Sequence, residues 1–272
     1  FSAAIEEVDR ACADLDPDVV LVHGDTTSAA AAAIAAFHRQ VKVGHVEAGL
    51  RTGDLGQPWP EEMNRRLITL CASVHFAPTR SAKARLVGEG VAAESILVTG
   101  NTVIDALASA ASRIENDCAT RAMLDAKFSF LDDAREILLV TCHRRENLGD
   151  GIENVCRALL QLSDRCGLAI VFPVHLNPQL LEPVRALLGG RRNIHLIPPA
   201  DYVEFVYLMM RSNVILTDSG GVQEEAPSLG KPVLVMRNVT ERPEATSAGM
   251  AQLVGTDPPA IVAGVLVTLD RS

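Results

Sequence analysis

The stretch NVILTDSGGVQEEAPSLGKPVLVM, residues 213–236, decides the fold of this chain. The apolar run at 214–216 predicts a buried strand, which ends at the polar turn DSGG at 218–221. A short helical segment follows, and the apolar run at 232–236 predicts the next strand. Strand, glycine turn, helix and strand together form a βαβ unit, which is the building block of a parallel sheet.

The glycine turn of this unit opens a helix, where free backbone N–H groups and the positive end of the helix dipole suit a phosphate group. Gly220 and Gly221 lack a Cβ, so an anion can approach the backbone closely. Glu225 falls one turn into the helix, where its carboxylate could accept hydrogen bonds from a ribose diol. The segment predicts a nucleotide diphosphate site, although an ordinary strand-to-helix turn would show the same pattern.

The alternation of strands and helices extends along the whole chain. Strands are predicted at 19–22, 41–46, 74–77, 96–98, 137–140, 168–172, 194–197, 214–216 and 232–236. Helices are predicted at 1–15, 28–37, 61–72, 81–89, 103–119, 151–165, 180–188, 202–210 and 260–272. Such alternation is typical of α/β proteins with parallel sheets and helices on both faces. We therefore predict two Rossmann-like domains, 1–103 and 104–272.

Composition narrows the class of protein. The 272 residues are 48% hydrophobic and 22% charged, as in soluble globular proteins. A net charge of −9, without a long Lys/Arg run, argues against a nucleic-acid partner. No apolar stretch approaches the ~18 residues of a membrane span, and no signal peptide precedes the first helix. The six cysteines are scattered, which fits reduced thiols in the cytoplasm better than disulfides or a zinc site.

Ionisable residues are concentrated directly after the predicted strands, where doubly wound sheets bind their ligands. Asp25, Glu47 and Glu61 should gather at one edge of the first sheet, and His143 follows the first strand of the second. Neighbouring carboxylates push one another's pKa values apart, which suits general acid/base chemistry. The cluster therefore predicts a catalytic site.

Each of these residues also has a structural interpretation. Asp25 could cap the helix that follows it, and Glu47 could form an ion pair with Arg51. Glu61 could favour the dipole of the helix that it begins, and His143 could be a hydrogen-bonded histidine at a strand end. The three carboxylates taken together favour the catalytic interpretation.

Eight strings along the chain together resemble the non-hydrolysing, bacterial-type UDP-N-acetylglucosamine 2-epimerases. They are HGDTTS (23–28), GHVEAGLRTGD (44–54), PWPEEMNRRL (58–67), TGNTVIDAL (99–107), HRREN (143–147), PVHLNP (173–178), LTDSGGVQEEAPSLGKPVLVMR (216–237) and TERPEA (240–245). The order of eight strings is far more specific than any one of them. The resemblance implies two Rossmann-like domains of the glycosyltransferase-B type with the active site in the interdomain cleft.

The resemblance also implies the reaction, which is reversible C2 epimerisation of UDP-GlcNAc to UDP-ManNAc without metal, nicotinamide or any other cofactor. Anti elimination expels UDP and leaves 2-acetamidoglucal. UDP then adds back in the syn sense, and a proton reaches the other face of C2. The same family suggests a homodimer that feeds ManNAc or ManNAcA into surface polysaccharides.

The family motifs imply roles for individual residues. Asp25, Glu47 and Glu61 would surround the sugar and His143 would lie near the diphosphate, although the motifs do not say which carboxylate removes the C2 proton. The implied UDP-binding residues are Ser219, Gly220, Gly221, Glu225, Phe205 and Arg242. Of these, 219–221 would hold the diphosphate.

The resemblance implies more specific roles for four residues. Glu225 would bind the ribose, and Phe205 would lie by the uracil through its backbone. Phe205 is equally well explained as a core aromatic of an amphipathic helix. Arg144 and His175 match residues that bind a second, activating UDP-GlcNAc in bacterial members of the family.

The chain departs from the family pattern at both ends. The family begins with a strand and a Gly-Thr-Arg-Pro-Glu type loop, whereas this chain begins about two βα units later and lacks the family's final crossing helix. Because that loop brings cations to the substrate, we expect the chain as given to be inactive or nearly so.

Four other functions stay open at this point. They are a hydrolysing 2-epimerase that releases UDP and free ManNAc, a relative acting on another UDP-N-acetyl sugar, a non-catalytic nucleotide-sugar-binding module, and a glycosyltransferase that shares the fold. The strings at 58–67 and 143–147 favour the non-hydrolysing branch. The three carboxylates argue against the last two functions, because binding alone does not need them together.

Overall fold

A computed structural model describes residues 1–131, 136–144, 147–238, 240 and 249–271. The chain divides into two compact units, Phe1–Thr102 and Val103–Ser272. We call them the amino-terminal unit and the carboxy-terminal unit. Each contains one parallel sheet, and in the described residues helices connect the strands, except between the two strands 233–235 and 251–253, where most of the connection lies outside those residues. The predicted α/β fold class with two Rossmann-like sheets is therefore confirmed.

The amino-terminal unit contains a four-stranded sheet. Its strands are β1 (Val19–His23), β2 (Lys42–Val46), β3 (Val74–Ala77) and β4 (Ile96–Val98), in the spatial order β1-β2-β3-β4. Its helices are α1 (Ser2–Leu15), α2 (Thr27–His38), α3 (Glu61–Cys71) and α4 (Arg80–Gly88), and a 3₁₀ turn, Ala93–Ser95, precedes β4. Buried alanines of α2 pack with Val22, Val43 and Ile68, and their small side chains allow the helix to lie close to the sheet.

The described residues of the carboxy-terminal unit form a six-stranded sheet. Its strands are β5 (Glu136–Thr141), β6 (Leu168–Pro173), β7 (Ile194–Ile197), β8 (Val214–Thr217), β9 (Val233–Val235) and β10 (Ala251–Leu253). Its helices are α5 (Thr102–Asn116), α6 (Cys118–Lys127), α7 (Asp150–Ser163), α8 (Pro178–Leu188), α9 (Tyr202–Arg211), α10 (Val222–Ser228) and α11 (Pro258–Leu269). No helix in the described part of the chain is long and apolar enough to cross a membrane.

The strand order of this second sheet is β10-β9-β8-β5-β6-β7, which is the doubly wound Rossmann order. The strands β5, β6 and β7 follow one another towards one edge of the sheet, and β8, β9 and β10 follow one another towards the other edge. The direction reverses between the neighbouring strands β5 and β8, and this position is the topological switch point of the sheet. Their last residues, Thr141 and Thr217, are in register, and the two hydroxyl oxygens lie 2.6 Å apart. Ligands of such sheets bind beyond the strand ends at this point.

The strands of the second sheet are buried on both faces, as their continuous apolar runs predict. Along β5, Leu138 and Val140 belong to the core on one face, while Ile137 and Leu139 belong to the core on the other. The two layers of helices cover these faces. The polar strand ends are therefore the part of the sheet that remains available for chemistry.

Two elements differ from the predictions. The helix expected at 103–119 ends at Asn116, because the side chain of Asp117 accepts a hydrogen bond from the N–H of Ala119 at 3.0 Å and caps α6 as a separate helix. The short strand β10 was not predicted, since its three residues give too little periodicity to recognise.

Candidate active site

Asp25 lies in the turn after β1 and is held by α3. Its interpretation as a helix cap is wrong, because Thr26 caps α2 by accepting from the N–H of Ala29 at 3.1 Å. Instead, Nη2 and Nε of Arg65 lie 2.6 and 2.9 Å from Asp25 Oδ2. Asn64 donates from Nδ2 to the backbone oxygen of Asp25 at 2.8 Å. Helix α3 therefore fixes both the backbone and the carboxylate of Asp25.

Arg65 is itself anchored by Glu62, whose side chain is completely buried. Arg65 Nη1 and Arg66 Nε each lie 3.4 Å from an oxygen of Glu62. The backbone N–H of Thr52 donates to the same carboxylate at 3.1 Å. A buried carboxylate requires donors of this kind. One polar network thus joins the loop at 52, helix α3 and the turn that carries Asp25.

Glu47 directly follows β2 and has a left-handed backbone, with φ at +66°. Few residues other than glycine adopt this conformation, and it persists only where the surroundings enforce it. Asn101 donates from Nδ2 to Glu47 Oε1 at 3.2 Å, and Nε2 of His23 lies 3.8 Å from Oε2. A Cβ at Gly24 would stand 3.3 Å from Oε2. Glu47 therefore lies against the turn that leads into Asp25.

Arg51 was the alternative ion-pair partner of Glu47. In the structure its Nε and Nη2 each donate to an oxygen of Glu89 at 2.8 Å. Nη1 also donates to the carbonyl of Leu50 at 2.8 Å. Arg51 thus has a structural role, in which it joins the segment after β2 to Glu89 at the end of α4.

Glu61 is the first residue of α3 and is partly buried. It lies one turn before Arg65, on the same face of the helix. Because Arg65 contacts Asp25, this face is turned towards the strand end that carries Asp25. The structure thus brings Asp25, Glu47 and Glu61 to the same edge of the first sheet. The position of Glu61 in the first turn also favours the helix dipole, and its catalytic role stays a prediction.

His45 of β2 contacts the turn before Asp25 from the interior of the unit. It is fully buried, and its Nε2 lies 2.9 Å from the backbone oxygen of Gly24. Burial lowers the pKa of His45 to about 4, although the hydrogen bond to Gly24 acts in the opposite direction. The ring is therefore neutral near pH 7 and donates to this carbonyl. His75 of β3 stands beside it in register, and burial lowers its pKa as well.

In the carboxy-terminal unit, Asp218 organises the switch point of the sheet. Its buried carboxylate accepts from the backbone N–H groups of His143 and Arg144 at 3.0 and 2.9 Å, and from Nδ2 of Asn147 at 2.9 Å. Nδ1 of His143 lies 3.2 Å from Oδ1. Burial acts to raise the pKa of Asp218, but His143, Arg144 and Asn147 outweigh it, so the pKa lies below its usual value. The ionised Asp218 therefore orients the loop and ring of His143.

The turn at 219–221 is tied on both sides. The N–H of Ser219 donates to Oγ1 of Thr217 at 3.0 Å, and Gln223 donates from Nε2 to the carbonyl of Ser219 at 3.2 Å. Thr240 donates in turn to Oε1 of Gln223 at 2.6 Å. Gly221 has a helical φ of −64°, so the glycine is not there to allow a left-handed backbone. Gly221 instead leaves the backbone of the turn uncovered by a side chain.

Glu225 is 94% buried, and its Oε1 accepts from the hydroxyl of Tyr202 at 3.1 Å. Burial raises the pKa of Glu225, and the hydrogen bond from Tyr202 partly opposes this. Phe205 lies one turn after Tyr202 on α9, is partly buried and packs against the core. This packing fits a core aromatic and a backbone contact to a base equally well.

The remaining predicted residues are partly described. The backbone of Arg144 is held by Asp218, and His175 is exposed after β6, where its Nδ1 accepts from the N–H of Asn177 at 3.1 Å. Because β5 and β6 are adjacent, both residues follow neighbouring strand ends. Arg242 lies outside the described residues. Within those residues, no three His, Cys, Asp or Glu side chains are grouped closely enough to hold a metal ion.

Several organising residues were missed at the sequence level. Arg65 follows Glu61 by four positions and Asn101 comes three residues after the last residue of β4, so both carried a recognisable signal. His45 carried none beyond its place in an apolar run, because a buried polar residue is recognised only through its partners. Asp218 stands in the polar turn after a strand, but its role in holding His143 depends on a contact that the sequence does not show.

The chain is similar to known proteins over its whole length. The family model described as UDP-N-acetylglucosamine 2-epimerase matches residues 1–272. A probable UDP-N-acetylglucosamine 2-epimerase of Ralstonia solanacearum is 54% identical over 248 residues, or 91% of this chain and 66% of that protein. The UDP-N-acetylglucosamine 2-epimerase of Salmonella typhimurium is 54% identical over 255 residues, or 93% of this chain and 68% of that protein. The chain thus spans about two thirds of the length of these curated relatives.

A solved structure shows the same similarity. The UDP-GlcNAc 2-epimerase of Neisseria meningitidis, in a crystal structure bound to UDP-GlcNAc, is 46% identical with a TM-score of 0.97. The match covers 99% of this chain and 72% of that protein. At this level of identity and coverage, fold and family are shared.

Proposed function

The chain belongs to the UDP-N-acetylglucosamine 2-epimerase family, and from that premise we propose that it binds the UDP part of UDP-GlcNAc and supplies the acid and base groups for epimerisation at C2. The product would be UDP-ManNAc. The observation that carries the proposal is the pair Asp25 and Glu47: Glu47 lies against Gly24, the residue before Asp25, and the two carboxylates have different partners. Two carboxylates in different environments suit an acid and a base.

The proposed UDP site lies in the carboxy-terminal unit. The turn Ser219–Gly221 stands at the switch point of a doubly wound sheet, where nucleotide phosphates bind in other proteins of this architecture. We assign the diphosphate to this turn, the ribose to Glu225 and the uracil to the backbone at Phe205. His143, oriented by Asp218, would stabilise charge on the departing diphosphate. Arg242 is assigned to the nucleotide or the sugar.

The proposed reaction balances as an elimination followed by an addition. A carboxylate takes the C2 proton, the electrons of that bond form the C1–C2 double bond, and the C1–O bond breaks so that UDP leaves with its electron pair. In the addition, a second acid delivers a proton to the opposite face of C2 and a diphosphate oxygen returns to C1. Asp25, Glu47 and Glu61 are the candidates for these two roles.

The family resemblance alone supports three further parts of the proposal. They are a homodimer, a cytoplasmic location and a product that feeds surface polysaccharide synthesis. The activator site at Arg144 and His175 rests on the same resemblance, and on their positions after adjacent strands.

The proposal is tested by incubating the natural polypeptide that contains this sequence with UDP-GlcNAc and separating the products. We expect UDP-ManNAc, and a rate lowered by about 100-fold or more in each of Asp25→Asn, Glu47→Gln and Glu61→Gln. The exposed Glu94 provides the matched control, Glu94→Gln, which should be fully active.

Other outcomes would each redirect the proposal. Free ManNAc and UDP would indicate a hydrolysing enzyme, and faster turnover of another UDP-N-acetyl sugar would correct the substrate. Transfer of GlcNAc to an added acceptor would indicate a glycosyltransferase. Bound UDP without any product would leave a binding module.

A further inference from the structure

The carboxylate of Glu225 has two oxygens in different surroundings. Oε1 accepts from the hydroxyl of Tyr202 at 3.1 Å. Oε2 lies beside the glycine turn, since a Cβ at Gly221 would stand 3.4 Å from it. Tyr202 therefore occupies the oxygen that lies away from the turn, and leaves the other oxygen on the side where the diphosphate is proposed to bind.

Tyr202 is well suited to hold a buried carboxylate. Glu225 is only 6% exposed, and a carboxylate at such a position requires hydrogen-bond donors. Burial and the neighbouring Glu225 raise the pKa of Tyr202 to about 12, so its hydroxyl keeps its proton and remains a donor throughout the neutral range. The ring of Tyr202 is 42% exposed, and the hydrogen bond from its hydroxyl is what limits rotation of the carboxylate about its last bond.

We propose that Tyr202 is a positioning residue that turns Oε2 of Glu225 towards the ribose hydroxyls, and that the pair makes the site selective for a ribonucleotide. This inference rests on the proposed function, because it requires UDP to bind at the turn 219–221. Tyr202 itself would not touch the nucleotide. Its effect would pass through Glu225.

The hydrogen bond from Tyr202 also has a consequence for pH. Burial raises the pKa of Glu225, while the donation from Tyr202 lowers it. A protonated carboxyl is a weaker acceptor, so the ribose contact weakens as the pH falls through the pKa of Glu225. Without the Tyr202 hydroxyl that pKa rises further, and the loss of binding at acid pH begins at a higher pH.

The test compares binding of UDP and of 2′,3′-dideoxy-UDP to the natural polypeptide that contains this sequence, by titration calorimetry between pH 5 and 8. The variants are Tyr202→Phe and Glu225→Gln. Tyr207→Phe is the matched control, because Tyr207 lies on the same helix and donates its hydroxyl to Asp125 at 2.6 Å. Melting temperatures of the two Tyr→Phe variants identify any general loss of structure.

We expect the unmodified chain to bind UDP about 10-fold or more tightly than the dideoxy compound. Tyr202→Phe should reduce that preference to less than about 3-fold, since a freely rotating carboxylate makes a poorer contact. In the same variant, the loss of the preference for UDP at acid pH should begin at a higher pH. Because the diphosphate itself takes up a proton at about pH 6, the pH dependence is read from the ratio of the two affinities. Glu225→Gln should remove the fall of that ratio at acid pH, and Tyr207→Phe should retain both the preference and its pH dependence.

Two results would overturn the inference and leave the proposed function intact. One is a Tyr202→Phe variant in which the preference for UDP over the dideoxy compound and the pH dependence of that preference are both unchanged. Tyr202 would then be a packing residue. The other is UDP binding without preference for the ribose in the unmodified chain, which would remove Glu225 as its ligand. Failure of the unmodified chain to bind UDP at all would instead contradict the proposed UDP site.

Discussion

Arg65 reaches across from α3 to Asp25, with its Nη2 2.6 Å from Oδ2, so a buried guanidinium fixes the first candidate catalytic carboxylate. The two residues are 40 positions apart in the chain. Their contact explains how a turn after a strand acquires a defined geometry without a helix-capping role for Asp25.

Replacement of Arg65 should therefore affect both stability and catalysis. In Arg65→Met the buried Glu62 loses a cationic neighbour, and we expect the free energy of unfolding to fall by about 3–5 kcal/mol. The rate of epimerisation should fall by ~100-fold or more, because Asp25 loses its orientation. Arg65→Lys should recover only part of either quantity, since an ammonium lacks the fork of donors. Urea unfolding and product analysis measure the two effects.

The adjacent Arg66 provides the control for this experiment. It also approaches Glu62 at 3.4 Å, but its side chain is 44% exposed compared with 4% for Arg65. Arg66→Met should cost less than about 1 kcal/mol. Equal activity in the two Arg→Met variants would contradict a positioning role for Arg65.

Gly24 should be required for the placement of Glu47. Its φ is +70°, and a Cβ would lie 3.3 Å from Oε2 of Glu47. Gly90 has a φ of +91° and open space around the same position. Both Gly→Ala variants should lose about 1 kcal/mol of stability from backbone strain. Only Gly24→Ala should also lose turnover, and a Gly24→Ala variant with normal kcat would refute the role of this turn.

Stability of the amino-terminal unit should depend on pH through His45. Burial lowers the pKa of His45 from its usual 6.5 to about 4, so the unfolded chain takes up the proton first as the pH falls. The stabilising contribution is complete above pH 6.5 and is lost as the pH falls towards 4. It amounts to roughly 3 kcal/mol at most. Denaturant unfolding at intervals between pH 4 and 7 measures the slope.

His45→Asn should reduce this slope, whatever its effect on stability at pH 7. Part of the slope should remain, because burial lowers the pKa of His75 too. His38 is exposed at the end of α2, so His38→Asn should leave the slope unchanged. A slope that is the same in both variants would show that His45 is not the titrating group.

Asp218→Asn should uncouple the loop of His143 from the sheet. The amide N–H₂ of asparagine cannot accept from the backbone N–H groups of His143 and Arg144 as a carboxylate does. We expect a loss of about 2–3 kcal/mol, together with UDP binding weakened by ~10-fold. Asp257 caps α11 at an exposed position, where asparagine caps equally well, so Asp257→Asn is the control. Unchanged UDP affinity in Asp218→Asn would separate this network from the nucleotide site.

The sequence was most informative where periodicity and strand ends coincide. Apolar runs such as 137–140 and 214–216 predicted strands buried on both faces of the second sheet. In the first sheet, the polar residues after the runs at 19–22 and 41–46 predicted the edge where Asp25 and Glu47 lie. The rule works because all parallel strands end at the same side of a sheet. The strand order of the second sheet could not be predicted, since pairing between distant strands leaves no local pattern.

The hydrogen-bond partners of the polar side chains could not be predicted from the sequence either. Arg65 could be placed on the face of Glu61, but its contact with Asp25 joins separate elements. The residues on both sides of Asp117 favour a helix. Only the hydrogen bond that Asp117 accepts from the first turn of α6 shows why α5 ends before it. Local propensity does not determine such tertiary hydrogen bonds.

The most direct measurement is proton NMR of UDP-GlcNAc in D₂O with the natural polypeptide that contains this sequence. The account predicts that UDP-ManNAc appears with deuterium at C2, and that the substrate pool gains the same label as the reaction reverses. UDP-ManNAc that retains the original hydrogen at C2 would contradict a mechanism in which carboxylates break and remake the C2–H bond.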